Sequence, residues 1–110
     1  MPSYKDEKTA ALIKNLAADF LQRESSGASL ITVTRVALSN KGRTADIFFT
    51  VYPENKERAA TEFTGRKAAE FQEYVKSHAK MRVVPFFRFG IDKGEKNRQR
   101  LDMLGNKSEI

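Results

Sequence analysis

Eight cations in this sequence stand where they can meet phosphate. Lys41 and Arg43 flank Gly42 in one turn, Arg66 and Lys67 sit side by side in a polar stretch, and Lys76, Lys80, Arg82 and Arg88 form a string toward the C-terminal third. Ammonium and guanidinium groups on a solvated surface bind a phosphodiester backbone by releasing its counterions, so such contacts give affinity that falls steeply with salt. The distribution of charge points the same way. The chain of 110 residues has a formal net charge of +6. Residues 1–75 hold 11 Lys/Arg against 10 Asp/Glu, whereas residues 76–110 hold 9 against 4. A pI near 9.7 with its excess on one segment is the electrostatic footprint of a phosphate-rich partner. Each cation also has a plainer reading. Glu62, Glu70 and Glu73 can balance Arg66 and Lys67 on an exposed helix face, and turn residues such as Lys41 and Arg43 are often charged for solubility alone.

Catalytic chemistry has little to work with. His78 is the only histidine and has no carboxylate or nucleophile at useful spacing, so it reads as a helix surface or boundary residue. The absence of Cys removes disulfides, thiolate metal sites and a thiol nucleophile. There is no phosphate-binding glycine loop, no nucleophile-elbow pattern and no metal-ligand cluster. The expectation is a binding protein, not an enzyme, with no cofactor, no metal and no small-molecule substrate. No apolar run approaches the roughly 20 residues that span a bilayer, and MPSYKDEKTA lacks a signal peptide's apolar region. A cytoplasmic protein with no membrane partner is expected.

The elements that must position these cations follow from periodicity. Ser3 and Asp6 resemble a capping box, and Ile13, Leu16, Ala17, Phe20 and Leu21 then recur at helical spacing to about Arg23. After the turn-rich ESSGAS, the β-branched LITVTRVAL predicts a strand over 30–38, although it alternates poorly. SNKGR carries the Asn and Gly of a hairpin turn. TADIFFTVY then alternates well, with Ala45, Ile47, Phe49 and Val51 toward the core and Thr44, Asp46, Phe48, Thr50 and Tyr52 on the other face. Phe48 and Tyr52 there can stack on bases or be partly covered.

Residues 55–80 are helical in composition, but the apolar phase breaks. Ala60 and Phe63 mark one stripe, Phe71, Tyr74, Val75 and His78 another, with the polar TGRK between them. Two helices meeting at an angle near Gly65 are expected, the alternative being one helix that tolerates a glycine. RVVPFFRFGID predicts a third strand, with Pro85 at its start, where a missing N–H matters least. Residues 1–92 thus read as one α+β domain of order α-β-β-α-(kink)-α-β, and residues 93–110 as a basic tail with at most one short helix at 97–104. The third strand must return beside the hairpin, and a right-handed crossover puts the helices on one face of a three-stranded sheet. That layout resembles a type II KH domain.

The resemblance sharpens on particular residues. Val33, Thr34, Val36, Leu38, Ser39, Ala45, Val84, Pro85 and Phe89 sit where a V-T-x-V-x-L-S hairpin start, an alternating second strand and an R-x-x-x-V-P third strand place them in the ribosome-binding factor A family, and nearly the whole chain is similar to it. The resemblance implies a ribosome assembly factor that binds 16S rRNA and the free 30S subunit as a monomer and assists late rRNA maturation. It also implies an interhelical Ala-x-Gly bend at Ala68, Ala69 and Glu70, where glutamate replaces the family's glycine, so the bend is expected between Gly65 and Ala68. A generic single-stranded RNA binder and a protein-interaction module using Phe48, Tyr52 and Phe86 stand as alternatives.

Overall fold

The structure, a computed structural model, describes residues 4–25 and 27–108. Helix α1 spans Tyr4–Glu24, strands β1 and β2 span Leu30–Ser39 and Thr44–Tyr52, helix α2 spans Glu57–His78, strand β3 spans Phe86–Ile91, and helix α3 spans Lys93–Ser108. The expected Ser3 cap lies outside the described residues. The sheet runs β1-β2-β3, antiparallel between the first two strands and parallel between the last two, so α2 is the crossover that brings β3 beside β2. Ala45, Ile47, Phe49 and Val51 all point into the core as the alternation of β2 requires. Ile13, Ala17, Phe20 and Leu21 of α1 and Phe71 and Val75 of α2 pack on that same face. Phe71 is the hub, with ring centroids 5.3 Å from Phe20 and 4.7 Å from Phe87. The α+β, KH-like layout is as expected.

β1 alternates poorly in sequence because it carries a bulge. Val33 pairs with Phe49 and Arg35 with Phe48, which leaves Thr34 unmatched. The extra residue resets the phase, so Ile31 and Val33 before it and Val36 and Leu38 after it all meet the core cluster. Between β1 and β2 the chain turns through Asn40, Lys41 and Gly42 with φ of 52°, 56° and 82°. Gly42 takes this left-handed conformation without strain and Asn40 with little, but Lys41 is an uncommon occupant of it.

The expected break in the long helix is absent. α2 runs without interruption through Gly65, Ala68, Ala69 and Glu70, and none of these has a positive φ. The reason lies in Thr64 and Lys67, which make the middle of the stripe look polar. Buried Ala60, Thr64, Phe71 and Val75 fall within roughly 60° of arc at 3.6 residues per turn. One helix face therefore holds its phase throughout. Thr64 is fully buried because its hydroxyl donates to the Thr61 carbonyl at 3.1 Å.

α3 begins at Lys93 and is longer than the short helix expected at 97–104. Asp92 explains its start. The Asp92 N–H donates to the Phe49 carbonyl, closing the β2–β3 ladder, while its carboxylate accepts the Glu95 N–H at 3.0 Å, so strand end and helix cap are one residue.

Candidate nucleic-acid interface

The fold sorts the eight cations by whether a carboxylate already holds them. Arg88 pairs across the sheet with Asp46, its neighbour in the parallel register, at 2.7 Å and 3.1 Å. Lys76 pairs with Glu73 at 3.3 Å. Lys67 reaches both Glu70 at 3.3 Å and Glu24 of α1 at 3.4 Å, and hydrogen bonds to Glu70 first and Glu24 second hold its pKa above the ordinary lysine value. Lys41, Arg43, Arg66, Lys80 and Arg82 make no ion pair among the described residues and are exposed.

Four of these five gather at one end of the sheet. Lys41 and Arg43 lie in the β1–β2 turn, and Lys80 and Arg82 lie in the segment that joins α2 to β3. The two segments meet through the backbone, because the Phe86 N–H donates to the Arg43 carbonyl at 2.8 Å. Lys41, Lys80 and Arg82 line a cleft of about 310 Å³ together with Asp6, Leu12 and Val83. Neither loop holds enough carboxylates to neutralise them. The result is a concave positive surface, which concentrates an anionic partner and speeds its encounter.

Arg66 belongs elsewhere. It lines a separate groove of about 360 Å³ near the C-terminal end of α1, with Glu24, Phe63 and Lys56, a cation that sequence reasoning did not single out. Since α2 is continuous, the N–H groups from 65 to 70 are committed to helix hydrogen bonds and make no cradle for phosphate. His78 stacks on Tyr74 at 3.9 Å, an exposed helix-end residue as its sequence position suggests.

At the other end of the sheet, a charged cluster is closed on itself. The Thr34 hydroxyl at the bulge donates to Asp92 Oδ2 at 2.5 Å, and Arg35 lies 3.4 Å from the same oxygen. The Thr34 bond, then the Glu95 N–H and then Arg35, push the Asp92 carboxyl below its ordinary pKa, against the opposing effect of burial. The Arg35 guanidinium also lies over the Phe48 ring, 3.9 Å from its centroid. Phe48 is therefore half-buried, while Tyr52 remains 75% exposed. Lys96 of α3 reaches Glu54 and Glu57 at 3.0 Å each, and hydrogen bonds to those two groups raise its pKa. Asp92, Arg35 and Lys96 escaped sequence reasoning because their partners are scattered along the chain.

Among the described residues no group of three His, Asp or Glu side chains is placed to hold a metal ion, and no helix is long and apolar enough to cross a membrane.

Residues 5–104 match the profile of the family described as Ribosome-binding factor A. A protein of that name from Thermosipho africanus is 28% identical over 109 residues, covering 94% of this chain and 86% of the relative. The crystal structure of ribosome-binding factor A from Thermus thermophilus superposes with a TM-score of 0.69 at 22% identity, over 77% of this chain and 92% of that one. A homology model of the Thermus thermophilus factor, fitted into a cryo-EM map of its complex with the 30S subunit, matches with a TM-score of 0.65 at 23% identity, over 74% and 88% of the two chains.

Proposed function

Because the chain belongs to the ribosome-binding factor A family, we propose that it is a ribosome biogenesis factor that binds 16S rRNA on the free 30S subunit and assists late maturation of that rRNA without being the nuclease. The family match over residues 5–104 carries this reading, and the positive end of the sheet supports it. The protein acts by binding, as a cytoplasmic monomer. It favours an immature arrangement of rRNA and leaves when the site matures, and the shift it imposes is limited by its differential affinity for the two states.

The RNA contact is assigned to Lys41, Arg43, Lys80 and Arg82. Arg66 with Lys56 offers a second, weaker contact in its own groove. Arg88, Lys67 and Lys76 are held by carboxylates and contribute little unless those pairs open.

Co-sedimentation with small subunits, large subunits and an unrelated structured RNA, at two salt concentrations, tests the reading. Selective pelleting with the small subunit that survives moderate salt is the expected result. Equal pelleting with all three that added salt erases would leave only non-specific charge binding.

A further inference from the structure

The hairpin-end cleft has a feature that phosphate binding alone does not need. Lys41, Lys80 and Arg82 share its lining with an apolar surface, its floor, that includes Leu12, Met81 and Val83. Leu12 is 41% exposed and Val83 58% exposed, so this apolar surface is left in water beside charged groups. A surface for duplex backbone presents cations and leaves no use for such a floor. At about 310 Å³ the cleft is at the small end of ligand sites, which run roughly 300–1,000 Å³.

We propose that this cleft takes one unstacked nucleotide of RNA, its base against Leu12, Met81 and Val83 and its flanking phosphates on Lys41, Lys80 and Arg82. The inference rests on the RNA-binding reading above and adds the state of the RNA that the site selects. A single-stranded or bulged nucleotide exposes both a flat apolar face and two phosphates, which match the floor and the cations that share its lining. Lys41 holds a φ of 56°, a left-handed conformation that the hairpin turn requires and that glycine adopts more easily. Extruding a base from a duplex carries an unpairing cost that an already single-stranded base does not, so the cleft favours rRNA whose helices have yet to form.

Fluorescence anisotropy with a short single-stranded oligoribonucleotide and a blunt RNA duplex tests this. The variants are Val83→Ser, which removes apolar floor without adding charge at an exposed position, Lys41→Gly, which removes a cation while relieving the backbone, and the double reversal Lys80→Glu/Arg82→Glu. Val83→Ser is expected to weaken single-strand binding roughly five- to tenfold, as the loss of one well-buried aliphatic contact allows, and duplex binding less than about twofold. Lys41→Gly is expected to weaken single-strand binding roughly threefold or more with no loss of thermal stability. If Val83→Ser binds the single strand as the parent does while the double reversal abolishes binding, the nucleotide site is overturned and the charge reading stands. If the double reversal is also silent, the assignment of RNA contact to this end fails with it.

Discussion

The two ends of the sheet use charge in opposite ways. At the hairpin end Lys41, Arg43, Lys80 and Arg82 come from two loops and make no ion pair among the described residues, with Asp6 the acid that lines their cleft. At the far end Asp92 is 5% exposed and meets Thr34, Arg35 and the Glu95 N–H, and Lys96 meets Glu54 and Glu57. Charges already paired are neutral to a distant anion and serve to fix backbone, whereas unpaired surface charges add nothing to the fold and attract a partner. A formal count of +6 therefore understates the asymmetry that a ligand meets.

Substitutions at the two ends should separate binding from stability. The largest effect is expected from Lys80→Glu/Arg82→Glu, which should weaken RNA affinity on the order of 100-fold near 0.1 M salt and flatten the log–log salt dependence by about two, with an unchanged melting temperature. Filter binding across a salt series measures both quantities. At the far end Asp92→Ala should leave RNA affinity within about threefold while destabilising the fold by about 1–2 kcal/mol, because it removes a helix cap and the charged partner of Thr34 and Arg35, as urea denaturation would register.

The same carboxylate gives a pH signature. Its pKa in the folded protein lies below the ordinary 3.8, so its contribution is complete above that value and is lost as pH falls from there through the folded pKa. The stability gap between the parent and Asp92→Asn should thus narrow in acid below about pH 4 and stay constant from pH 5 to 8. A gap that widened in acid would contradict the assigned direction.

Two smaller effects test what joins the ends. Gly65→Ala should stabilise the protein by about 0.5–1 kcal/mol, because Gly65 lies inside an unbroken helix with no heavy atom within 4 Å of an added Cβ. A loss of stability would restore the bend. Least of all, Arg88→Ala and Lys67→Ala should each change RNA affinity less than about threefold, since their charges are already answered by Asp46, Glu70 and Glu24.

The sequence was most legible where one period ran uninterrupted. Ala45, Ile47, Phe49 and Val51 identify the core face of β2 without help, and the spacing of Ile13, Ala17, Phe20 and Leu21 does the same for α1. It misled where polar residues occupy apolar positions. Thr64 satisfies its own hydroxyl inside the helix and is buried, so a continuous stripe looked like two. In β1 the extra residue Thr34 hides the pattern by shifting its phase. The candidate site shows the same division. Residue type announces Lys80, Arg82 and Arg88 equally as cations, and only strand register shows that Arg88 faces Asp46. Asp92 resembled any loop acid because its role joins a bulge, a strand end and a helix start that are far apart in the chain.

The bulge at Thr34 bears on how the protein keeps to itself at high concentration. β1 is an outer strand of the sheet, and an outer strand offers a row of free backbone groups to which another chain can add. The irregularity between Val33 and Arg35 divides that row into two short runs on either side of a local twist, so an incoming straight strand can match one run but not continue into the other. The residue that anchors Asp92 therefore also spoils the template for strand addition, and deleting Thr34 would loosen the start of α3 and lay open a longer, flatter edge for aggregation.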